Sequence, residues 1–150
     1  MSLERQFATF RLGGLFLGVE VEKVQEVIRF QEMTGVPLAP QAVRGLINLR
    51  GQIVTAIDLR RQLGLPDRAE GQQPMNVVIR TDDGAVSLLV DEIGDVIDVS
   101  SEGFESPPET MMAAARELIL GVYKLQGELL LVLDVDRAIE LMPGSGEKAA

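Results

Sequence analysis

The side chains that most often perform chemistry in proteins are missing from this sequence. Its 150 residues include no histidine and no cysteine, which excludes histidine-based nucleophilic catalysis, thiol redox chemistry and the usual zinc sites. The common glycine-rich phosphate-binding motifs are also absent from the sequence. Carboxylates are therefore the main candidates for chemistry, and they cluster at 82–83, 91–98 and 134–136.

Oxygen ligands alone could hold magnesium, but each carboxylate cluster also fits a structural role. Asp82 and Asp83 precede a glycine and have the composition of a turn, and Asp134 is placed to cap the last predicted helix. Between residues 90 and 99 the acids alternate with apolar residues, as on the solvent face of a strand. We therefore predict a protein that is not an enzyme and that uses no metal or cofactor.

The basic residues with the most suggestive spacing surround one predicted hairpin. Although the formal net charge is −9, the stretch VRGLINLRGQIVTAIDLR and the residue after it carry Arg44, Arg50, Arg60 and Arg61. At an exposed hairpin tip, Arg50 could simply supply solubility, while Gly51 accepts a positive φ. Arginine is also enriched at binding hot spots, because its planar guanidinium binds carboxylates. The four arginines together predict a local positive site on an acidic protein.

The overall charge limits the classes of partner. The sequence has 23 Asp and Glu against 14 Lys and Arg, which disfavours nucleic acid and anionic membrane surfaces. We see no signal-peptide pattern and no apolar run long enough to span a membrane, so we expect a cytoplasmic location without membrane insertion. Proteins remain as the expected partners.

Glycine-containing turns separate four pairs of strand-like segments. The predicted hairpins turn at Gly13-Gly14, Arg50-Gly51, Asp82-Asp83-Gly84 and Gln126-Gly127. Short helical patterns cover 22–28, 59–63, 108–117 and 134–141, and 66–74 has the composition of a polar linker. Hairpins along the whole length predict a mainly antiparallel β protein, and short strands at this spacing favour small closed barrels.

The stretch around Arg50 resembles the CheW-like family of chemotaxis adaptors, which has an N-L-R-G turn followed by D-L-R. Three weaker segments occur in the order of that family, and with the first they cover about residues 7–141: FRLGGLFLGVEVEKVQEVI, LLVDEIGDVIDV and LILGVYKLQGELLLVLDVDRAI. The resemblance implies a mainly β fold of two small five-stranded SH3-like barrels side by side, with short helices including one at the C-terminus. We expect one domain over 1–150, with subdomains 14–84 and 1–13 plus 85–142, and a loose tail at 143–150.

The resemblance also implies a role. Proteins of this family are non-catalytic adaptors that connect the cytoplasmic tips of chemoreceptors to the regulatory domain of the histidine kinase CheA, in arrays that include further CheW copies. Arg50 matches the arginine of the receptor-binding groove, and Val24, Glu26 and Ile53 match positions near it. Val24 and Ile53 would pack on a helical receptor tip, while Arg50 and Glu26 would fix its register; core packing remains an equal interpretation for the two apolar residues.

A second surface follows from the same resemblance. The loop FESPPET at 104–110 matches a region that contacts the kinase in the ring, which makes Phe104, Glu105, Pro108 and Glu109 candidate contact residues. Two features depart from the pattern familiar in that loop: Glu105 replaces a basic residue and Thr110 an aromatic one. We therefore expect a contact that is weaker or has different charge partners.

Three alternatives remain at this point. An equivalent adaptor could serve pilus motility or surface sensing, because one chain does not reveal its pathway. A small-molecule sensor could bind a ligand in the cleft between barrels. With one Tyr and no Trp, however, the sequence has few of the aromatic side chains that commonly line such a pocket. An enzyme using carboxylates and magnesium is the weakest alternative.

Overall fold

The protein is mainly β, with eleven strands and three single-turn helices among the residues that its computed structural model describes, 4–140. The strands are β1 (Glu4–Leu12), β2 (Leu15–Glu20), β3 (Val24–Ile28), β4 (Val43–Leu49), β5 (Gln52–Asp58), β6 (Met75–Thr81), β7 (Gly84–Val90), β8 (Glu92–Ser100), β9 (Phe104–Glu105), β10 (Ile119–Leu125) and β11 (Glu128–Leu133). The helices are α1 (Leu59–Gln62), α2 (Ala113–Arg116) and α3 (Val135–Ala138). All four predicted hairpins are present, because each local turn joins two neighbouring antiparallel strands.

Two sheets divide the strands. The six-stranded sheet has the order β8-β1-β2-β11-β10-β9, and the five-stranded sheet has the order β3-β6-β7-β5-β4. This mainly β, two-sheet architecture confirms the predicted fold class, although six strands lie in one sheet where five were expected. Neither sheet is closed by hydrogen bonds within residues 4–140, so each keeps two edge strands.

The five-stranded sheet nevertheless curls until its two edges approach each other. Thr34, in the segment after β3, exchanges backbone hydrogen bonds of 2.9 and 2.8 Å with Leu46 of β4. Gly45 permits this approach, because a Cβ there would lie 2.7 Å from the Thr34 carbonyl oxygen. One bridge thus joins the opposite edges of a sheet that is otherwise open.

The strands of the two sheets do not coincide with the expected subdomains, 14–84 and 1–13 plus 85–142. β2 lies in the six-stranded sheet and β7 in the five-stranded sheet. The expected boundaries cut two hairpins at their turns, whereas a tight antiparallel hairpin keeps both of its strands in one sheet. Along the chain, the change from one sheet to the other falls between β2 and β3 and between β7 and β8. The expected tail at 143–150 lies outside the described residues.

One prediction of a helix is wrong. The segment 22–28 begins in a 3₁₀ turn at Val21–Lys23. Its remaining residues, Val24–Ile28, form β3, which pairs with β6. Val24, Val27 and Ile28 have helical spacing, but in β3 Val24 and Ile28 are half-buried while Val27 is exposed, and pairing with β6 decides for the strand. The predicted helix at 108–117 shortens to α2, whereas α1 and the Asp134-capped α3 are confirmed, the cap by an Arg137 N–H···Oδ1 bond of 3.2 Å.

A shared core holds the sheets together. Its largest cluster takes buried residues from both sheets, including Phe10 and Leu17 from one and Ile57, Ile79 and Leu88 from the other. A small cluster around Phe7 belongs to the six-stranded sheet, and another around Ile47 belongs to the five-stranded sheet. Each sheet thus has its own apolar centre beside a common one.

Candidate functional site

Arg50 occupies an unusual backbone position at the turn between β4 and β5. Leu49 pairs directly with Gln52, so Arg50 and Gly51 form a two-residue loop, and their φ values are 53° and 87°. Positive φ at both positions is characteristic of the turns that match the twist of a β-hairpin, and it favours Asn or Gly over long side chains. The Asn48 side chain stabilises the turn by accepting the Gly51 N–H at 2.9 Å.

The Arg50 guanidinium forms an ion pair with Glu26 of β3. The Arg50 side chain is 67% exposed, and that of Glu26 is 22% exposed. The two residues belong to opposite sides of the five-stranded order, so the curl of the sheet is what brings them together. The structure therefore joins two of the four predicted receptor-site residues in one exposed charged pair.

The other two predicted residues differ in exposure. Ile53 lies three residues after Arg50 on β5 and is 60% exposed, which is unusual for a large apolar side chain in a strand. Val24 is half-buried and packs against the shared core. Val24 thus has a clear packing role, whereas Ile53 has its side chain available to a partner. Val27 and Val96 are also exposed apolar strand residues, and the sequence analysis did not single them out.

The four arginines of the predicted positive site all form ion pairs within the chain, Arg50 with Glu26 and the other three with aspartates. Arg44 pairs with Asp58 at 3.2 Å, Arg60 with Asp91 at 2.6 Å, and Arg61 with Asp67 at 3.1 Å. These carboxylates belong to the chain itself and offset the charge locally. A partner that approaches this region therefore meets paired charges, among which the Arg50 side chain is the most exposed, at 67%.

Asp58 and Asp91 belong to a buried ion network that the sequence analysis missed. The Arg68 side chain is only 4% exposed and contacts Asp58 at 3.1 Å and Asp91 at 2.8 Å. Arg68 also donates to the Leu89 carbonyl at 3.1 Å, which fixes the predicted linker against the sheet. The network includes the turn between β1 and β2, where Gly13 donates its N–H to Asp91 at 2.8 Å. It thus connects parts of both sheets.

The surroundings of Asp91 favour its charged form. Burial alone would raise the pKa of its carboxyl, but hydrogen bonds from Arg60 and Gly13 and the charges of Arg60 and Arg68 outweigh burial and lower that pKa below its ordinary value. The prediction that the acids of 90–99 line a solvent face is therefore wrong for Asp91. It is right for the exposed Glu92, Asp95 and Asp98. No sequence signal separated Asp91 from these neighbours, because its partners come from distant segments.

The second predicted surface begins with an anchored aromatic residue. Phe104 is 38% exposed, and its ring lies 5.3 Å from that of Tyr123 between centroids. Glu105 is exposed and forms an ion pair with Lys124 at 3.6 Å, so the partner of this unexpected carboxylate is within the chain. Pro108 is half-buried and Glu109 is exposed. Of these four residues Pro108 is thus the most buried, whereas part of the Phe104 ring is exposed beside the two glutamates.

An open apolar groove of about 330 Å³ lies beside these residues. One wall comes from the loop, and the other comes from β2 and β11 of the six-stranded sheet; the lining is Gly14, Leu15, Phe16, Pro108, Thr110, Met111, Glu128, Leu129 and Leu131. Arg11 spans the rim, since it pairs with Glu128 at 3.1 Å and lies 4.5 Å from the Phe16 ring centroid. The groove is therefore a feature of one sheet and its loop.

Between residues 4 and 140, no three His, Cys, Asp or Glu side chains are placed to hold a metal ion together. The helices in that range are all too short to cross a membrane.

The chain is similar to known chemotaxis proteins over most of its length. The CheW-like domain family model matches residues 6–141. The chemotaxis protein CheW of Treponema pallidum is 31% identical over 136 residues, which cover 88% of this chain and 80% of that protein. Protein FrzA of Myxococcus xanthus is 31% identical over 124 residues, which cover 83% of this chain and 77% of FrzA.

A solved structure has the same fold. The scaffolding protein TtCheW of Thermoanaerobacter tengcongensis superimposes with a TM-score of 0.77 at 24% identity, and the match covers 87% of this chain and 89% of that one. The family match extends over the β4–β5 turn, the buried network and the loop after β9 alike. With its two open sheets and this match over nearly its full length, the chain belongs to the CheW-like family.

Proposed function

We propose that this chain is the adaptor that couples chemoreceptor tips to the histidine kinase CheA. As a CheW-like protein it is a non-catalytic scaffold of chemotaxis signalling. The proposal adds the two partners, the surfaces that bind them, and a cytoplasmic location beside membrane receptors. The subdomains we propose are 21–90 and 4–20 with 91–140, each built on one sheet.

The observation that carries the receptor surface is the conformation of Arg50. A left-handed backbone disfavours any residue with a Cβ, so glycine or asparagine would suit this turn better. Strained positions that keep an unfavourable residue are candidates for function, since the side chain must contribute something other than stability. An exposed guanidinium can contribute binding to carboxylates.

The neighbours of Arg50 support a helical partner. Glu26 offers a negative charge beside the positive one, and Ile53 offers an exposed apolar surface near the same turn. A helix that presents apolar residues on one stripe and both charges at its border would match this set. The charged pair would determine the register, while apolar contact would supply most of the affinity.

The kinase surface rests on the segment that begins with β9. Glu105 and Glu109 are exposed there, and the half-buried Pro108 lines the apolar groove. Two adjacent prolines reduce the conformational entropy that the loop loses on binding. The pathway could equally be pilus motility or surface sensing, because the surface of one chain does not identify the receptors that it meets.

The test is binding of the purified chain to a receptor cytoplasmic tip and, separately, to the CheA regulatory domain. Arg50→Glu should keep the fold and weaken receptor binding by about 2 kcal/mol, roughly 30-fold, because it reverses a hot-spot charge. Arg61→Glu is the matched control, since Arg61 is also an ion-paired arginine but lies away from Ile53 and Glu26. It should bind the receptor as the wild type does.

The outcome separates the two surfaces. Kinase binding should be unaffected by Arg50→Glu if the receptor alone uses this turn. A folded Arg50→Glu variant with wild-type receptor affinity would show that the receptor surface lies elsewhere. Absence of binding to both partners would direct the search to receptors of the other pathways.

A second candidate function, a small-molecule sensor, is favoured only by the groove. Its apolar lining and volume of about 330 Å³ are within the range of ligand sites. A thermal-shift screen of metabolites tests it, because a ligand that binds the folded state raises the melting temperature. No shift across the screen would remove this candidate.

A further inference from the structure

Phe104 makes more contacts with its own sheet than a partner-binding residue requires. The two residues of β9 pair with β10, so that Phe104 lies opposite Tyr123 and Glu105 lies opposite Val122. The Phe104 and Tyr123 rings are 5.3 Å apart and inclined at 52°, a favourable aromatic geometry. Much of the Phe104 side chain is therefore already occupied in the free protein.

Arg5 of β1 holds the same ring from another direction. Its guanidinium carbon lies 5.6 Å from the Phe104 ring centroid, within the range of a cation–π contact. The same guanidinium donates a hydrogen bond of 3.1 Å to the Tyr123 hydroxyl and pairs with Glu20 at 3.3 Å. Arg5 is thus fixed by two partners and cannot easily move away from Phe104.

Gly121 of β10 provides the space that the Phe104 ring occupies. A Cβ at this position would lie 2.6 Å from Phe104 Cε1 and 2.6 Å from the Glu105 carbonyl oxygen. Real Cβ atoms do not approach other atoms so closely, so any larger residue would displace β9. Since no unusual backbone angle requires glycine there, space for Phe104 is the reason for it.

The other end of the loop is also fixed. Met111 packs against the shared core and donates its N–H to the Pro108 carbonyl at 3.1 Å. Arg116 of α2 donates to the Glu109 carbonyl at 3.2 Å. The exposed segment 106–110 is thus held at both ends, and Phe104 is the anchor at the first end.

We propose that Phe104, seated over Gly121, is a latch that holds the loop 105–111 in its binding geometry. In this role Phe104 is a positioning residue, and Glu105, Pro108 and Glu109 make the contact with the kinase regulatory domain. The partner in this statement rests on the proposed function, whereas the latch does not. An ordered loop binds more tightly, because less conformational entropy is lost on association.

The test compares Phe104→Ala and Gly121→Ala with the conservative Phe104→Leu. Hydrogen–deuterium exchange of the hydrogen-bonded loop amides, such as the Met111 N–H, should be at least about tenfold faster in Phe104→Ala and Gly121→Ala, because local opening controls exchange there. Affinity for the CheA regulatory domain should fall about tenfold in both variants, because the loop that makes the contact is no longer held in its binding conformation. Phe104→Leu keeps apolar contact over Gly121 but loses the ring contacts with Tyr123 and Arg5, so it should lie between wild type and Phe104→Ala in both measurements. Receptor-tip binding should be unchanged in all three variants, which also controls for folding.

The two readouts distinguish the possible failures. Unchanged loop exchange in Phe104→Ala would overturn the latch, whatever the affinity. Faster exchange with unchanged kinase affinity would overturn the positioning role. A wild-type protein that does not bind the regulatory domain would overturn the proposed partner and the positioning role, while exchange alone would still decide whether the latch exists. If Gly121→Ala does not fold, the comparison of Phe104→Ala with Phe104→Leu still decides each question.

Discussion

At the scale of the residue, Arg50 shows how a side chain and its backbone can favour different outcomes. The turn would be satisfied by glycine, whereas the ion pair with Glu26 and any bond to a partner need a guanidinium. An exposed ion pair contributes at most about 1 kcal/mol, and a left-handed non-glycine residue costs about the same or slightly more. Arg50 therefore gives the fold little net stability, and binding is the better explanation for its presence.

Arg50→Gly should separate these contributions. Glycine removes the conformational cost together with the ion pair, so the free energy of unfolding should stay within about 1 kcal/mol of wild type. Affinity for the receptor tip should fall by about 2 kcal/mol, because the hot-spot guanidinium is gone. Urea unfolding and calorimetric binding measure the two quantities.

Arg50→Val is the matched comparison, since it also lacks the guanidinium but keeps a branched Cβ at φ 53°. It should be less stable than Arg50→Gly by about 1–2 kcal/mol and equally weak in binding. Equal stability of the two variants would mean that the turn relaxes and stores no strain.

At the scale of the element, the curl of the five-stranded sheet depends on one close approach. The bridge between Thr34 and Leu46 brings the segment after β3 onto β4, and Gly45 is the residue whose missing side chain leaves room for it. The same curl places Glu26 of β3 next to Arg50. The proposed receptor surface therefore depends on the curvature of the sheet as well as on one hairpin.

Gly45→Ala should destabilise the protein by about 1–3 kcal/mol, because the new Cβ would overlap backbone atoms that cannot move independently. Receptor binding should weaken as well, since the edges of the sheet would separate. Urea unfolding measures the first effect and a binding titration the second. Gly14→Ala is the control, because a Cβ there meets no atom within 4 Å. If Gly45→Ala were as stable as Gly14→Ala, the bridge would not be needed for the curl.

At the scale of the whole molecule, the two sheets are joined by the shared core and by the buried ion network. Asp91 lies between β7 and β8, where the chain passes from the five-stranded to the six-stranded sheet. It accepts hydrogen bonds from Gly13, in the turn between β1 and β2, and from Arg60 of α1, which follows β5. Its side chain is only 8% exposed. Because a buried charge without its partner is costly, loss of any member should loosen the junction.

The network predicts a specific acid dependence of stability. The pKa of Asp91 is lowered in the folded protein, so the unfolded chain binds more protons in the acid range and stability rises with pH there. The contribution is complete above the unfolded pKa of about 4 and is lost as the pH falls through the folded pKa.

Asp91→Asn should lower the free energy of unfolding at pH 7 by about 3 kcal/mol and flatten its decline below about pH 4. Urea unfolding over a pH series measures both. Asp98→Asn is the control, because Asp98 is an exposed acid of β8 and should change neither quantity. An unaltered pH profile in Asp91→Asn would mean that other carboxylates control the acid transition.

The sequence by itself determined the hairpins, two of the three single-turn helices and the position of the turn that carries Arg50. These features depend on contacts within a few residues, and Gly, Asp and Asn specify them locally. The order of four motifs along the chain was enough to indicate the family, and with it the two candidate surfaces.

Only the tertiary structure decided the features that depend on distant partners. The segment 24–28 is a strand because β6 pairs with it, and Asp91 is buried because Arg60 and Arg68 surround it. The four arginines around the β4–β5 hairpin are paired with carboxylates of the same chain, and Phe104 is seated over Gly121. Local residue patterns determine turns because a turn needs only its own backbone. Burial, charge pairing and close approach need two segments that the sequence separates, and only the folded chain brings them together.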